Sequence, residues 1–130
     1  LNWNLFRRLS LNSNTTWQAG KDKDGNNLPV MPPLKSINTL SYQADHWHFF
    51  AEAVGAATQN KVSPFYGETR TPGFFIMNAG IDKMIAIQRQ QIRLSLACHN
   101  IFNRYYYEHT NVIKLPEEGR NFVLHVTYNF

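Results

Sequence analysis

The sequence predicts an all-β fold, specifically a segment of membrane-spanning antiparallel β-barrel, and three observations lead there. Residues 122–130, Phe-Val-Leu-His-Val-Thr-Tyr-Asn-Phe, alternate between apolar and smaller or more polar side chains and finish on an aromatic residue. Further segments with the same period recur between Gly-, Pro-, Asn- and Asp-rich stretches, and none keeps a 3.6-residue period for long. The connections between these segments alternate long, short, long, short, long. A soluble sheet meander has no reason to sort its loops by length, whereas an outer-membrane barrel has short periplasmic turns and long external loops.

The terminal strand shows the two-faced pattern best. Side chains alternate across a strand, so Phe122, Leu124, Val126, Tyr128 and Phe130 share one face, while Asn121, Val123, His125, Thr127 and Asn129 share the other. One face suits lipid and the other a watery lumen. On this segment alone a soluble sandwich fits equally well, and the other elements break the tie.

The first strand is expected from Trp3 to Ala19, with Trp3, Leu5, Leu9, Leu11 and Trp17 outward and Arg7 breaking the phase. Gly20 to Pro33 is charged and rich in breakers, which makes it an exposed loop. A weaker strand runs from Lys35 to Gln43, and Ala44-Asp45-His46 forms a short turn. From Trp47 to Asn60 the apolar phase is Trp47, Phe49, Ala51 and Ala53, with Glu52 in the wet interior. A second long loop covers Lys61 to Pro72. Gly73 opens a fourth strand in which Phe75, Met77, Ala79 and Ile81 alternate with Phe74, Ile76, Asn78 and Gly80. A turn at Gln88–Gln90 leads to the fifth strand, where Ile92, Leu94, Leu96 and Cys98 oppose Arg93, Ser95, Ala97 and His99. The third long loop, Asn100 to Gly119, precedes the sixth and last strand. This parity places the C-terminus in the periplasm, and Trp3, Trp47, Tyr128 and Phe130 form an interfacial girdle.

Composition narrows the function. No run of about 18 apolar residues is present, so no spanning helix can be drawn, but barrel strands need only about 9–11 residues. The net charge of +4 comes from scattered basic residues, which argues against nucleic acid as a partner. Cys98 is the single cysteine, and no paired Cys/His spacing of a metal site exists, so neither a resident metal nor a cofactor is expected. There is no nucleophile elbow and no HExxH helix, and the chain is read as a non-enzyme. The opening Leu1-Asn-Trp-Asn-Leu5 carries no initiator Met and no secretion signal and is read as an interior cut. Six open strands would leave edge groups unpaired in lipid, so they are expected to pair with further strands.

Four motifs in order then resemble one family. Leu96-Ala-Cys-His-Asn-Ile-Phe-Asn-Arg-Tyr-Tyr-Tyr107 resembles the N-L-F-(D/N)-(K/R)-x-Y signature near the end of TonB-dependent outer-membrane receptors. Pro116-Glu-Glu-Gly-Arg-Asn-Phe122 resembles their P-x-x-G-R-x-(F/Y) approach to the last strand. Gly67-Glu-Thr-Arg-Thr-Pro-Gly73 resembles E-T-x-T-P-G, and Leu28-Pro-Val-Met-Pro-Pro33 resembles P-L-x-x-(I/M)-P-P. The resemblance implies that residues 1–130 are the C-terminal part of a 22-stranded barrel, its last six strands, enclosing a plug domain encoded elsewhere. It further implies uptake of a scarce nutrient, such as a ferric siderophore, haem, cobalamin or other metal complex, energised by TonB. Two other classes stay open on residue pattern alone: a non-transporting barrel such as an adhesin or porin, and a soluble β-domain that binds a partner.

Candidate ligand contacts lie at the outer rim, where Arg104, Tyr105, Tyr106, Tyr107 and His109 offer stacking rings and a metal-seeking imidazole. One of Tyr106 and Tyr107 occupies the family's recurring tyrosine position, which argues for a structural role there. His99 and His125 both face inward, but His99 is expected opposite Asn121, which argues against a shared metal. His46 and His48 sit at a short turn. Lys21, Lys23, Lys61, Arg70, Arg104, Lys114 and Arg120 make the loop side positive, suited to an anionic chelate or to lipopolysaccharide phosphates.

Overall fold

A computed structural model describes residues 1–87 and 90–129. Gln88 and Arg89 of the expected fourth turn and the terminal Phe130 lie outside the described residues. The chain is all-β: β1 (Asn2–Phe6), β2 (Leu9–Thr16), β3 (Lys35–Ala44), β4 (Trp47–Ala56), β5 (Phe74–Ile87), β6 (Gln90–His99) and β7 (Asn121–Asn129). They form one antiparallel sheet in chain order, each strand paired with its sequence neighbours. No helix of the structure is long and apolar enough to cross a membrane.

Seven strands stand where six are expected. The span Trp3–Ala19 is a hairpin, folded at Arg7-Arg8. Arg7 interrupts the apolar phase because it is the turn, where a charged side chain meets solvent at no desolvation cost. A register shift between Asn4 and Phe6 then sets Phe6 opposite Leu9. Two further bounds move: β4 ends at Ala56, short of Asn60, and β3 continues to Ala44. The hairpin preserves the loop pattern, since connections now run short, long, short, long, short, long, over residues 7–8, 17–34, 45–46, 57–73, 88–89 and 100–120.

Register fixes the two faces. Trp3, Leu11, Leu40, Ala51, Ala79, Cys98 and Phe122 are successive partners across all seven strands. The next row is Leu9, Tyr42, Phe49, Ile81, Leu96 and Leu124. Several of these apolar residues are uncovered by any other part of the described chain, with Leu96 at 50% and Leu124 at 69% exposure. One cation interrupts this face near the short-turn end: the Lys83 ammonium sits 4.4 Å from the centre of the Trp47 ring.

The opposite face carries the polar residues. Glu52 accepts hydrogen bonds from Thr39 Oγ1 at 3.1 Å and Asn78 Nδ2 at 2.9 Å. His48 Nδ1 lies 2.8 Å from Asp82 Oδ2. His99 pairs with Asn121 and His125 with Ser95, so the two histidines are kept apart as expected. Phe50 lies over Gly80, where a Cβ would come within 2.3 Å of the ring. Toward the long-loop end this face turns apolar: Val54, Ala56, Phe74 and Ile76 are the buried core, flanked by Ile37 and Tyr106.

Candidate functional site

The three long loops gather at one end of the sheet and bind one another. Asn100 is the anchor of the third. It is 2% exposed and adopts a left-handed backbone at φ 47°, a conformation Asn tolerates better than most residues. Its backbone N–H donates to Asn78 Oδ1 at 2.9 Å, fastening the loop to the sheet. Its side chain donates to the carbonyls of Arg104 (2.8 Å) and Glu118 (3.1 Å) and accepts from the Arg104 N–H at 2.8 Å, so one amide closes both ends of the loop. Asn103 repeats the device, accepting from the Arg120 N–H at 2.9 Å.

From this base the aromatic run is dealt to different surroundings. Tyr106 turns inward and packs on Phe74, ring centres 4.3 Å apart, closing the buried core from the loop side. Its burial, with Glu117, Glu108 and Glu118 nearby, raises the phenol above its usual range. Tyr107 is half-buried and faces the Lys114 ammonium at 5.8 Å. Arg104 and Tyr105 point outward, Tyr105 being 71% exposed. His109 is buried, and Thr71 Oγ1 shares a 2.8 Å hydrogen bond with its Nδ1. Of the five residues, Arg104 and Tyr105 are thus at the surface, whereas Tyr106 and His109 are packed into the structure.

Glu68 links all three loops. It accepts from the Val30 N–H at 2.7 Å and the Ser63 N–H at 2.5 Å, and its Oε1 lies 3.0 Å from His109 Nε2. Burial opposes its charge, but the two N–H donors and the histidine prevail and hold the carboxyl below its usual range. Further ties join the same loops. Gln59 Nε2 donates to the Met31 carbonyl at 2.8 Å, Lys35 pairs with Glu108 at 2.6 Å, and Lys114 donates to Thr69 and Arg70. In the E-T-x-T-P-G stretch, Glu68 is thus a loop hub, Thr71 a buried partner of His109, and Gly73 a point of close backbone approach. A Cβ on Gly73 would stand 2.6 Å from the Ala56 carbonyl.

Sequence reasoning missed this hub, although the motif residues were visible, because the partners Val30 and His109 lie 38 and 41 positions away. It also missed the His48–Asp82 pair, which only strand register reveals. Among the described residues no three His, Cys, Asp or Glu side chains converge as a ready metal centre.

No family model and no curated protein matches the chain in sequence. Among solved structures the chain is similar to the copper transporter OprC, at 22% identity and a TM-score of 0.86, covering 96% of this chain and 21% of that one. The chain thus spans about a fifth of that structure's length. The likeness is one of fold: this seven-stranded antiparallel meander has the architecture of part of a copper transporter.

Proposed function

We propose that the chain is the C-terminal barrel portion of a TonB-dependent outer-membrane receptor that imports a scarce metal complex. The observation that supports this most is the joint sorting of faces and loops. Seven successive strands put two rows of apolar residues on one side and Glu52, Asn78, His48, Asp82, His99 and His125 on the other, with every long loop at one end. The fold likeness to a copper transporter and the four motifs support the same reading. In it, the short turns and the C-terminus are periplasmic, the polar face lines a lumen that holds the plug, and the outer edges of β1 and β7 pair with the remaining strands of a 22-stranded barrel. TonB acts through a segment outside this chain, and the chain itself is not catalytic. Ferric siderophores and haem are the first cargo class. Arg104 and Tyr105, at the exposed rim, are the contacts we assign to the chelate, with Tyr106 and Tyr107 holding the loop that presents them.

The test is uptake of labelled ferric chelates and of copper by cells carrying the intact receptor, with and without TonB. Accumulation that requires both proteins is the expected result. Accumulation that persists without TonB would leave a passive barrel, and a protein that fractionates with the soluble phase would overturn the membrane reading altogether.

A further inference from the structure

Scattered loop cations suit an anionic chelate and a membrane phosphate equally, but the register of β2, β3 and β4 separates the two. On the apolar face these strands turn polar toward the long-loop end. Thr15 pairs with Ser36 and Ser36 with Gly55, and Thr15 Oγ1 and Ser36 Oγ share a 2.9 Å hydrogen bond. Two residues further on, Trp17, Leu34 and Ala57 continue the same phase, and the Ala57 N–H still donates to the Leu34 carbonyl at 2.8 Å. Trp17 is 68% exposed. On the line of β4, Ala57 stands ten residues beyond Trp47. At about 3.4 Å per residue and a strand tilt of about 35–45°, this is a rise of roughly 24–28 Å, matching the apolar band of about 25 Å that aromatic girdles flank. Trp47 and Trp17 therefore mark its two edges.

Trp17, Leu34 and Ala57 also line a cavity of about 380 Å³, and Lys21 and Lys61 line it with them. The two lysines come from different loops, which the buried Gln59 ties together. Its Nε2 donates to the Met31 carbonyl at 2.8 Å, and its Oε1 accepts from the Lys61 N–H at 3.0 Å. No carboxylate lines the cavity, and neither ammonium has a hydrogen-bond or ion-pair partner among the described residues. Asp22, next to Lys21 in sequence, is engaged by the Asn26 N–H and side chain instead. We propose that this cavity seats the phosphate of an outer-leaflet lipid, with Lys21 and Lys61 holding the phosphate and Trp17 and Leu34 flanking the top of its acyl chains. A chelate bound for the lumen needs cations on the polar face, whereas these two stand with residues of the apolar one. The site rests on the membrane reading above. Each lysine beside an anionic headgroup is worth roughly fivefold in affinity.

The experiment is titration of the intact receptor, in neutral detergent, with phosphatidic acid brominated on its acyl chains, which quenches nearby tryptophan. Phosphatidylcholine with the same chains is the reference, and the emission missing from Trp17→Phe isolates Trp17. Its quenching is expected at a tenfold or more lower concentration of phosphatidic acid than of phosphatidylcholine. Lys21→Gln or Lys61→Gln raises the phosphatidic acid needed by roughly fivefold, and the double variant abolishes the preference. Lys23→Gln, on the same loop but outside the cavity, leaves it intact. Hydrogen exchange across residues 17–34 and 57–73 checks that the loops of each variant are folded. Inorganic phosphate at matched concentration does not displace the lipid. Displacement by it, or a preference that survives in the folded double variant, overturns the lipid site. Trp47, isolated through Trp47→Phe, separates this from failure of the membrane reading. Quenching of Trp47 by both lipids with no preference at Trp17 overturns the site alone, whereas quenching of neither tryptophan by either lipid overturns the membrane reading with it.

Discussion

Replacing Asn100 with alanine tests the idea that one buried amide holds the third long loop in shape. The substitution removes three side-chain hydrogen bonds, two donated to the Arg104 and Glu118 carbonyls and one accepted from the Arg104 N–H. At about 0.5–1.5 kcal/mol each, that is roughly 3 kcal/mol. Alanine at φ 47° adds about 1 kcal/mol of backbone strain that Asn largely avoids. The backbone donation to Asn78 is untouched, so the loss falls on the loop and not on the sheet. Local opening of the loop therefore becomes easier by about 3–4 kcal/mol, which is a hundredfold or greater rise in exchange wherever exchange follows the opening equilibrium. Hydrogen exchange with mass spectrometry on the intact protein reads this directly. Peptides covering 100–120 should accelerate while those of β4 and β5 do not. Asn100→Gly, which relieves the strain alone, should recover about 1 kcal/mol of the loss. Exchange of Asn100→Ala within threefold of wild type would refute the reasoning.

Leu124→Arg places a charge on the apolar face and should lower barrel stability by about 2–4 kcal/mol if that position lies near mid-bilayer, whereas His125→Arg on the polar face should cost little; urea unfolding in liposomes compares them, and equal effects would contradict the facial assignment. Gly73→Ala forces a Cβ against the Ala56 carbonyl and Thr58 nitrogen, so β4 and β5 must part at their loop ends, at a cost of about 1–3 kcal/mol in the same unfolding assay. Acid should loosen the hairpin at Lys21–Asn27. The Asn26 backbone N–H, followed by its side chain, holds the Asp22 carboxyl below its usual range, so the stabilisation is complete above the unfolded value near 4 and disappears as pH falls through the lower folded one. Exchange of the Asp24 and Asn26 amides, corrected for intrinsic rate, should show protection at pH 6 that is gone once the pH lies below both the unfolded and the lower folded value.

The strands were legible where apolar and polar side chains alternate over several successive residues. Ile92, Leu94 and Leu96 against Arg93 and Ser95 could be read without any partner in view. Arg7 was visible as an interruption but was assigned to the interior of a strand, because a two-residue turn with no Gly or Asn carries no other local mark. The apolar inner residues Val54, Phe74 and Ile76 also stood out of phase with a wet lumen. Their explanation, Tyr106 folding back over them, depends on a loop whose path no period encodes. The loop hub was least legible of all. Glu68 and Thr71 stand in one matched stretch and His109 was singled out by itself, but their relation exists only once the fold brings 57–73 beside 100–120. Asn100 shows the middle case: it stands in a matched motif at the start of the third long loop, and the structure supplies the three hydrogen bonds that give it a role there.

The strictly sequential pairing of the strands limits how this protein can change. Because each connection reverses direction, a strand gained or lost alone would carry every later long loop to the opposite end and invert the side on which it emerges. Adding or removing two strands with their turn leaves all the others facing as before. The smallest unit by which such a sheet can lengthen, shorten or recombine is therefore the hairpin, and β1–β2, which joins the other described strands through β2 alone, is one such pair.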